Sequence, residues 1–352
     1  MVRERAPVKH AHAPLRRVVI LAVLVLAAVG LARGPGVLWR SLVESPTGPA
    51  FDSPVSAGAS PDTAVRVGEL ENAALDETSG LAASRRRPDL LWAINDSGAP
   101  PRLFALGLDG SDRGTVDLAG ATNVDWEDLA AFELDGTPYL LVADVGDNAA
   151  RRDRVVLYVL EEPVLGADRF PAGSTASVAW AIELVYEDGP LDCEAVGVDA
   201  ASGRVLLVSK RTEPARLYEA PLRPAAPGRV RATRVAEITN LPRPTAADLE
   251  EDPLFGAFRA QVTALDVAAD GLELVAVTYK DAYRFPRNDD QSWAEAVSGL
   301  PEVLTLPRMV QTEAGAYGAD GAALYVTSEQ RPAPLIRLDL APPGPPAVRA
   351  PD

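Results

Sequence analysis

Histidine is nearly missing from this 352-residue chain: both copies, His10 and His12, stand at its very start. Everything downstream therefore lacks Ser-His-Asp and Cys-His catalysis and any histidine-ligated zinc. Cysteine occurs once, at Cys193, which excludes an internal disulfide and leaves the redox compartment open. Positive charge is outnumbered outside the N-terminus. The first forty residues carry seven basic side chains and one acid, so the overall charge of −16 leaves about −22 on the rest. A body this acidic repels nucleic acid and attracts cations. Long apolar runs are also missing. Val18–Ala32, VVILAVLVLAAVGLA, has fifteen residues, short of the roughly 20 that span a bilayer. Adding GPGVLW lengthens it to about 22, with Arg33 interrupting. Behind a basic flank, this run reads as an uncleaved membrane anchor with the basic tail in the cytoplasm. The alternative is a signal peptide cleaved after Gly30-Leu31-Ala32, leaving a secreted protein. No cysteine follows the run, so it is not a lipoprotein signal. Either reading puts the acidic body outside the cytoplasm.

The organisation that follows is a basic tail (1–17), an export or anchor segment (18–40), a Pro/Ser/Gly-rich flexible linker (41–62), a folded body (63–342) and a Pro-rich tail (343–352). Within the body one pattern recurs. The segments TSGLAAS, WEDLAAF, CEAVGVD, VTALDVA and TEAGAYG each open an apolar strand. Turn pairs follow in four copies: Asp135-Gly136, Ser202-Gly203, Asp270-Gly271 and Asp320-Gly321, with Arg87-Pro88 in the first. A second strand then returns (LLWAIND, YLLVADV, VLLVSKR, LVAVTYK, LYVTSEQ), a third follows, and a weaker fourth precedes the next copy, as in SVAWAIELVYE. Short strands in radial repetition predict an all-β fold, a five-bladed, WD40-like β-propeller. The long gaps between copies, 67 and 69 residues, leave room for a six-bladed alternative. A sandwich with irregular hairpins is a plainer alternative. A lone strand at Ala64–Glu71 is expected to complete the last blade, with Val65–Glu69 beside Ile336–Leu340.

The second position of each copy reads Ser79, Glu127, Glu194, Thr263 and Glu313, each with a side-chain oxygen. Two residues earlier stand Glu77, Asp125, Asp192, Gln261 and Gln311, again all oxygen-bearing. At the start of the innermost strands these positions form rings at one mouth of the channel. Converging carboxylates need a cation or protons, and a hard, oxygen-seeking cation such as calcium answers that need. The bland alternative is that these side chains cap strand starts.

This ring resembles that of the calcium-activated nucleotidases (soluble apyrases), five-bladed propellers. The resemblance rests on the order hydroxyl, Glu, Glu, hydroxyl, Glu. It implies one axial calcium held by Ser79, Glu127, Glu194, Thr263 and Glu313, although Thr263 stands where that family has serine. The turn Asn95-Asp96-Ser97-Gly98 is similar to that family's acid-acid-Arg-Thr-Gly turn but lacks the arginine. The set NDSG, DWEDLA, DVGDN and VTALDVAADG also looks like exported bacterial propeller proteins of unassigned activity.

A second ring is expected at the ends of the second strands: Asp96, Asp144, Lys210 with Arg211, Lys280, and Glu329. Acids and bases around a calcium suit a small anionic ligand such as a phosphate, with the polar loop of Asp147, Asn148, Arg151 and Arg152 beside it. Trp126 and Tyr279 are candidates to stack on a base or sugar, with blade core the alternative for Trp126, and Cys193 reads as buried filler. Two functions follow. The first is an exported calcium-binding module that acts as a scaffold. The alternative is a calcium-dependent phosphoanhydride hydrolase with Asp96 or Asp144 as base. No carboxylate pair diagnostic of a glycosidase is legible.

Overall fold

A computed structural model describes residues 64–341 apart from 227, 254, 255 and 330. The basic tail, Val18–Ala32, the linker and the Pro-rich tail lie outside the described residues. Among the described residues, no helix is long and apolar enough to cross a membrane.

The chain opens with β1 (Ala64–Glu69) and then folds into antiparallel meanders. The first is β2 (Thr78–Ala83), β3 (Leu90–Asn95), β4 (Arg102–Gly107) and β5 (Asp112–Ala119). Next come β6 (Trp126–Leu134), β7 (Thr137–Asp144), β8 (Val155–Glu161), β9 (Ser174–Ser177) and β10 (Trp180–Tyr186). The third meander is β11 (Cys193–Asp199), β12 (Arg204–Ser209), β13 (Ala215–Pro221) and β14 (Val230–Ile238). Helix α1 (Ala246–Glu251) precedes β15 (Val262–Val267), β16 (Glu273–Thr278) and β17 (Asp281–Pro286). Helix α2 (Trp293–Ser298) leads to β18 (Glu302–Thr305), and β19 (Thr312–Tyr317), β20 (Ala323–Ser328) and β21 (Pro334–Asp339) end the fold.

The first strands β2, β6, β11, β15 and β19 pack on one another in a closed cycle, β19 returning to β2. This is a propeller-type arrangement. Its cores lie between neighbouring sheets: Trp92 and Leu103 meet Leu129 and Leu140, for example, and Leu81 and Phe104 meet Ala314 and Leu335. Sheets covered on both faces explain why β3, β16 and β20, apolar through their middles, are buried at every residue. Each fully buried Val or Leu contributes about 1.5–3 kcal/mol. Gly80 is needed because β2 and β6 nearly touch: a Cβ there would lie 2.7 Å from the Leu129 nitrogen. The turn Asp135-Gly136 has φ of 53° and 75°, the left-handed pair that a two-residue hairpin favours.

The ends of the body are joined as expected. β1 pairs antiparallel with β21 and becomes the fourth strand of the β19–β20–β21 sheet. The partner of Val65–Glu69 is Pro334–Arg337 rather than Ile336–Leu340, since Val65 faces Arg337 and Glu69 faces Pro334. The expected strand SVAWAIELVYE forms as β10, and β9 is a separate short strand just before it. Between the two, Ala179 donates to the Val159 carbonyl, so β9 runs parallel to β5 in the first sheet while β10 closes the second meander. β10 also pairs parallel with β14, which fuses the second and third meanders into one eight-stranded sheet. The long gaps thus hold β9 and α1.

A candidate cation site at the channel mouth

Each ring residue lies in a β-bulge. In β2 the pairing passes from Thr78–Asn95 to Gly80–Ile94 and skips Ser79. The same skip removes Glu127, Glu194, Thr263 and Glu313 from their ladders. A bulge leaves one residue unpaired and re-aims its side chain. The repeated oxygen-bearing position is therefore a repeated backbone device, which the strand pattern alone does not reveal.

The five side chains divide by chemistry. The hydroxyls stitch neighbouring inner strands: Ser79 donates to the Trp126 carbonyl (2.9 Å) and Thr263 to the Thr312 carbonyl (2.8 Å). Glu127, Glu194 and Glu313 are all buried, at 7%, 4% and 9% exposure. Lys210 reaches in from the end of β12 to hydrogen-bond Glu194, and its Nζ lies 3.9 Å from a Glu313 oxygen. The same ammonium sits 5.0 Å from the Tyr279 ring centre, and the Tyr279 hydroxyl donates to Glu313 (2.8 Å). Glu194 and Glu313 thus have partners. Glu127 makes no hydrogen bond or ion pair among the described residues. Its carboxylate instead gathers with those of Asp96 and Asp125, one oxygen from each within 4.8 Å of the others. Room for two of these groups comes from Gly146, where a Cβ would meet Glu127 Oε1 at 2.2 Å and Asp125 Oδ2 at 2.6 Å.

Burial raises the pKa of every carboxyl in this cluster, and mutual repulsion adds to it. Asp125 is pushed up to about 6 by burial, then by Asp96. Glu194 rises to about 8 through burial, against the pull of Lys210. Glu329 rises to about 8 through burial and its neighbours Glu313 and Asp96. Glu127, Glu313 and Asp96 also lie above the ordinary carboxylate range, burial being the main cause in each. Burial opposes the charge on Lys210, but Glu313 and Glu194 outweigh it and hold its ammonium well above the ordinary lysine value.

Several expected roles change. Asp144 pairs with Trp126, one register step before the position of Asp96. Both its oxygens are engaged, by the amides of Val124 and Asp125 and by Arg152 (2.7 Å), so it anchors the loop before β6 and is not a free base. Arg211 is bound to Asp192 (2.5 Å) and to Asn148. Lys280 points away from the ring to Asp248 of α1, at 2.5 Å, and Tyr279 takes its place beside the site. Trp126 is wholly buried and donates to the Thr122 carbonyl (2.9 Å), so it cannot stack on a ligand. Cys193 is buried as expected, its thiol pushed up to about 12 by desolvation.

Sequence reasoning missed the layer beneath. Asp128, fully buried, accepts from the amides of Val196 (2.7 Å), Leu265 (3.0 Å) and Leu129 (2.8 Å). One carboxylate on β6 thereby joins β11 and β15. Asp266 likewise accepts from Tyr317 on β19 (2.9 Å). An inner strand presents an unpaired backbone edge to the channel, and buried amides need acceptors. The signal was an acid inside an apolar run, at EDLAAF and ALDVAA.

No known family model and no curated protein matches the sequence. Among solved structures the chain is similar to one described as "Crystal structure of Nidogen/Laminin Complex", with 14% identity and TM-score 0.40 over 72% of this chain and 73% of that one. It is also similar to "Crystal structure of RRP9 WD40 repeats", at 11% and 0.38 over 75% and 67%. A third is "Structure of U3-55K", at 11% and 0.36 over 75% and 68%.

Proposed function

We propose that this chain is a five-bladed propeller that serves as a cation-dependent binding module, with calcium held at the mouth on the Glu127 side. The observation that carries the reading is the cluster of Asp96, Asp125 and Glu127, three carboxylates in reach of one ion, with no ion pair to Glu127 among the described residues. An all-oxygen set of acids fits calcium, whose coordination tolerates irregular carboxylate cages. It fits zinc and copper poorly, since no imidazole is near and Cys193 is sealed in the core. Bound calcium would neutralise the trio and leave coordination positions toward solvent for a ligand of the module. Of the sequence-derived ring, Glu127 belongs to this trio. Glu194 and Glu313 are tied to Lys210, and the hydroxyls of Ser79 and Thr263 hold strands together.

The hydrolase alternative requires cationic side chains free to meet an anionic substrate. Lys210, Arg211 and Lys280 are each already paired with acids, so the binding module is the better reading. Display outside the cytoplasm belongs to the same proposal and rests on the apolar run Val18–Ala32. Protease added to intact spheroplasts should then digest the body; protection would overturn that part. The site is tested by melting the protein with calcium and with chelator. A ligand at 100 times its dissociation constant stabilises the fold by about 2.7 kcal/mol, and Asp125→Asn should abolish that gain. Identical melting in both conditions would refute the site.

A further inference from the structure

Three buried ring carboxylates, Glu127, Glu194 and Glu313, converge with Asp96 and Asp125 on one mouth, and Lys210 is the only ammonium seated among them in the described residues. It is not a surface lysine that folded inward. It is 7% exposed, it bonds Glu194, its Nζ lies 3.9 Å from Glu313, and Tyr279 both covers it and bonds Glu313. Its backbone is fixed as well, since the Lys210 amide donates to the Asp192 carbonyl (3.1 Å) at the strand end. A buried ammonium held by two carboxylates does electrostatically what a metal ion would do there: it cancels their repulsion and fixes their spacing.

We infer that Lys210 is a tethered counter-ion, occupying the place that Glu194 and Glu313 would otherwise offer to a metal. The mouth is thereby split into a half filled by the chain's own cation and a half, at Glu127, left for a cation from solution. This inference deepens the reading of the mouth as a cation site but does not depend on it. Lys210 sets how many ions the mouth accepts, and it keeps half of the ring neutralised when no metal is present.

The test is calcium titration of the full-length chain by isothermal calorimetry, with melting in calcium and in chelator. Lys210→Met removes the ammonium and keeps the volume. It should melt lower than wild type in chelator, regain that loss in calcium, and bind one more calcium ion per chain. Lys210→Arg keeps the charge and should keep the wild-type stoichiometry. Lys210→Met combined with Asp125→Asn should still bind the additional ion, because the vacated place lies on the Glu194–Glu313 side. Should Lys210→Met fail to fold in chelator, refolding in millimolar calcium should rescue it, and Lys210→Gln gives the same readout from a milder change. Unchanged stoichiometry in Lys210→Met and Lys210→Gln, with no added stabilisation by calcium, would overturn the inference and make Lys210 an ordinary buried ion pair. A wild type that binds no calcium beside a Lys210→Met variant that does would sink the Glu127-side site and leave the tethered counter-ion standing.

Discussion

Glu127 and Asp128 are adjacent in sequence and opposite in circumstance. Asp128 is buried in the channel and accepts three backbone amides from three strands. Glu127, one step nearer the mouth, is almost as buried and accepts none. The same contrast holds between layers: Asp266 is satisfied by the amides of Val267 and Tyr317, whereas Glu127 at the mouth faces the carboxylates of Asp96 and Asp125. Burial alone does not define a site. A buried acid matched to amides is a structural part, and one matched only to other acids is waiting for a cation or a proton.

The sharpest way to break this comparison is to remove the lower acid. Asp128→Ala strands three amides, each worth about 1–3 kcal/mol when buried without a partner, so a loss of roughly 3 kcal/mol or more is expected in urea unfolding. Asp128→Asn keeps an acceptor and should lose less than half as much. A neutral Asp128→Ala would mean the layers do not differ.

Next in size is the pH response of the mouth. Folded-state pKa values raised to about 6 at Asp125 and about 8 at Glu194 and Glu329 lie above those of the unfolded chain. The folded state therefore holds more protons, and its stability is greatest below the unfolded carboxylate range and declines as pH rises through 6 and 8. In chelator the melting temperature should fall from pH 5 to pH 9; in calcium that fall should flatten. A rise with pH in chelator would contradict the picture.

Glu127→Gln comes third. Without calcium it should melt higher than wild type, by about 1 kcal/mol or more, because it removes an unpartnered buried charge. With calcium it should gain little. Higher stability in chelator together with lost calcium response separates a ligand from a strand cap.

The smallest effect is expected at Lys280→Ala. Its bond to Asp248 is 42% exposed on the lysine side and 4% on the aspartate side, and Asp248 keeps its Thr245 partners without it, so a loss of about 1 kcal/mol is expected. Calcium-linked melting should be unchanged, and a change there would return Lys280 to the mouth.

The sequence by itself determined the strand meanders, the turns and the recurring oxygen-bearing position. Those follow from local chemistry: apolar runs cut by Asp-Gly and Ser-Gly pairs specify hairpins, and the repeat marks equivalent places. It also placed Ala64–Glu69 beside the last strand, because a lone strand with an unpaired edge needs a partner. Tertiary structure alone decided which acid meets which base. Lys210 and Lys280 both follow a second strand, yet one turns into the ring and the other out to α1, an insertion that brings Asp248 alongside. Asp144 and Asp96 look equivalent in sequence, and the register of β6 with β7 separates them by one step, giving one to loop anchoring and the other to the acid trio. Charges interact through space over a few ångströms with a strength set by burial. Neither the distance nor the burial is written in the spacing of the residues along the chain.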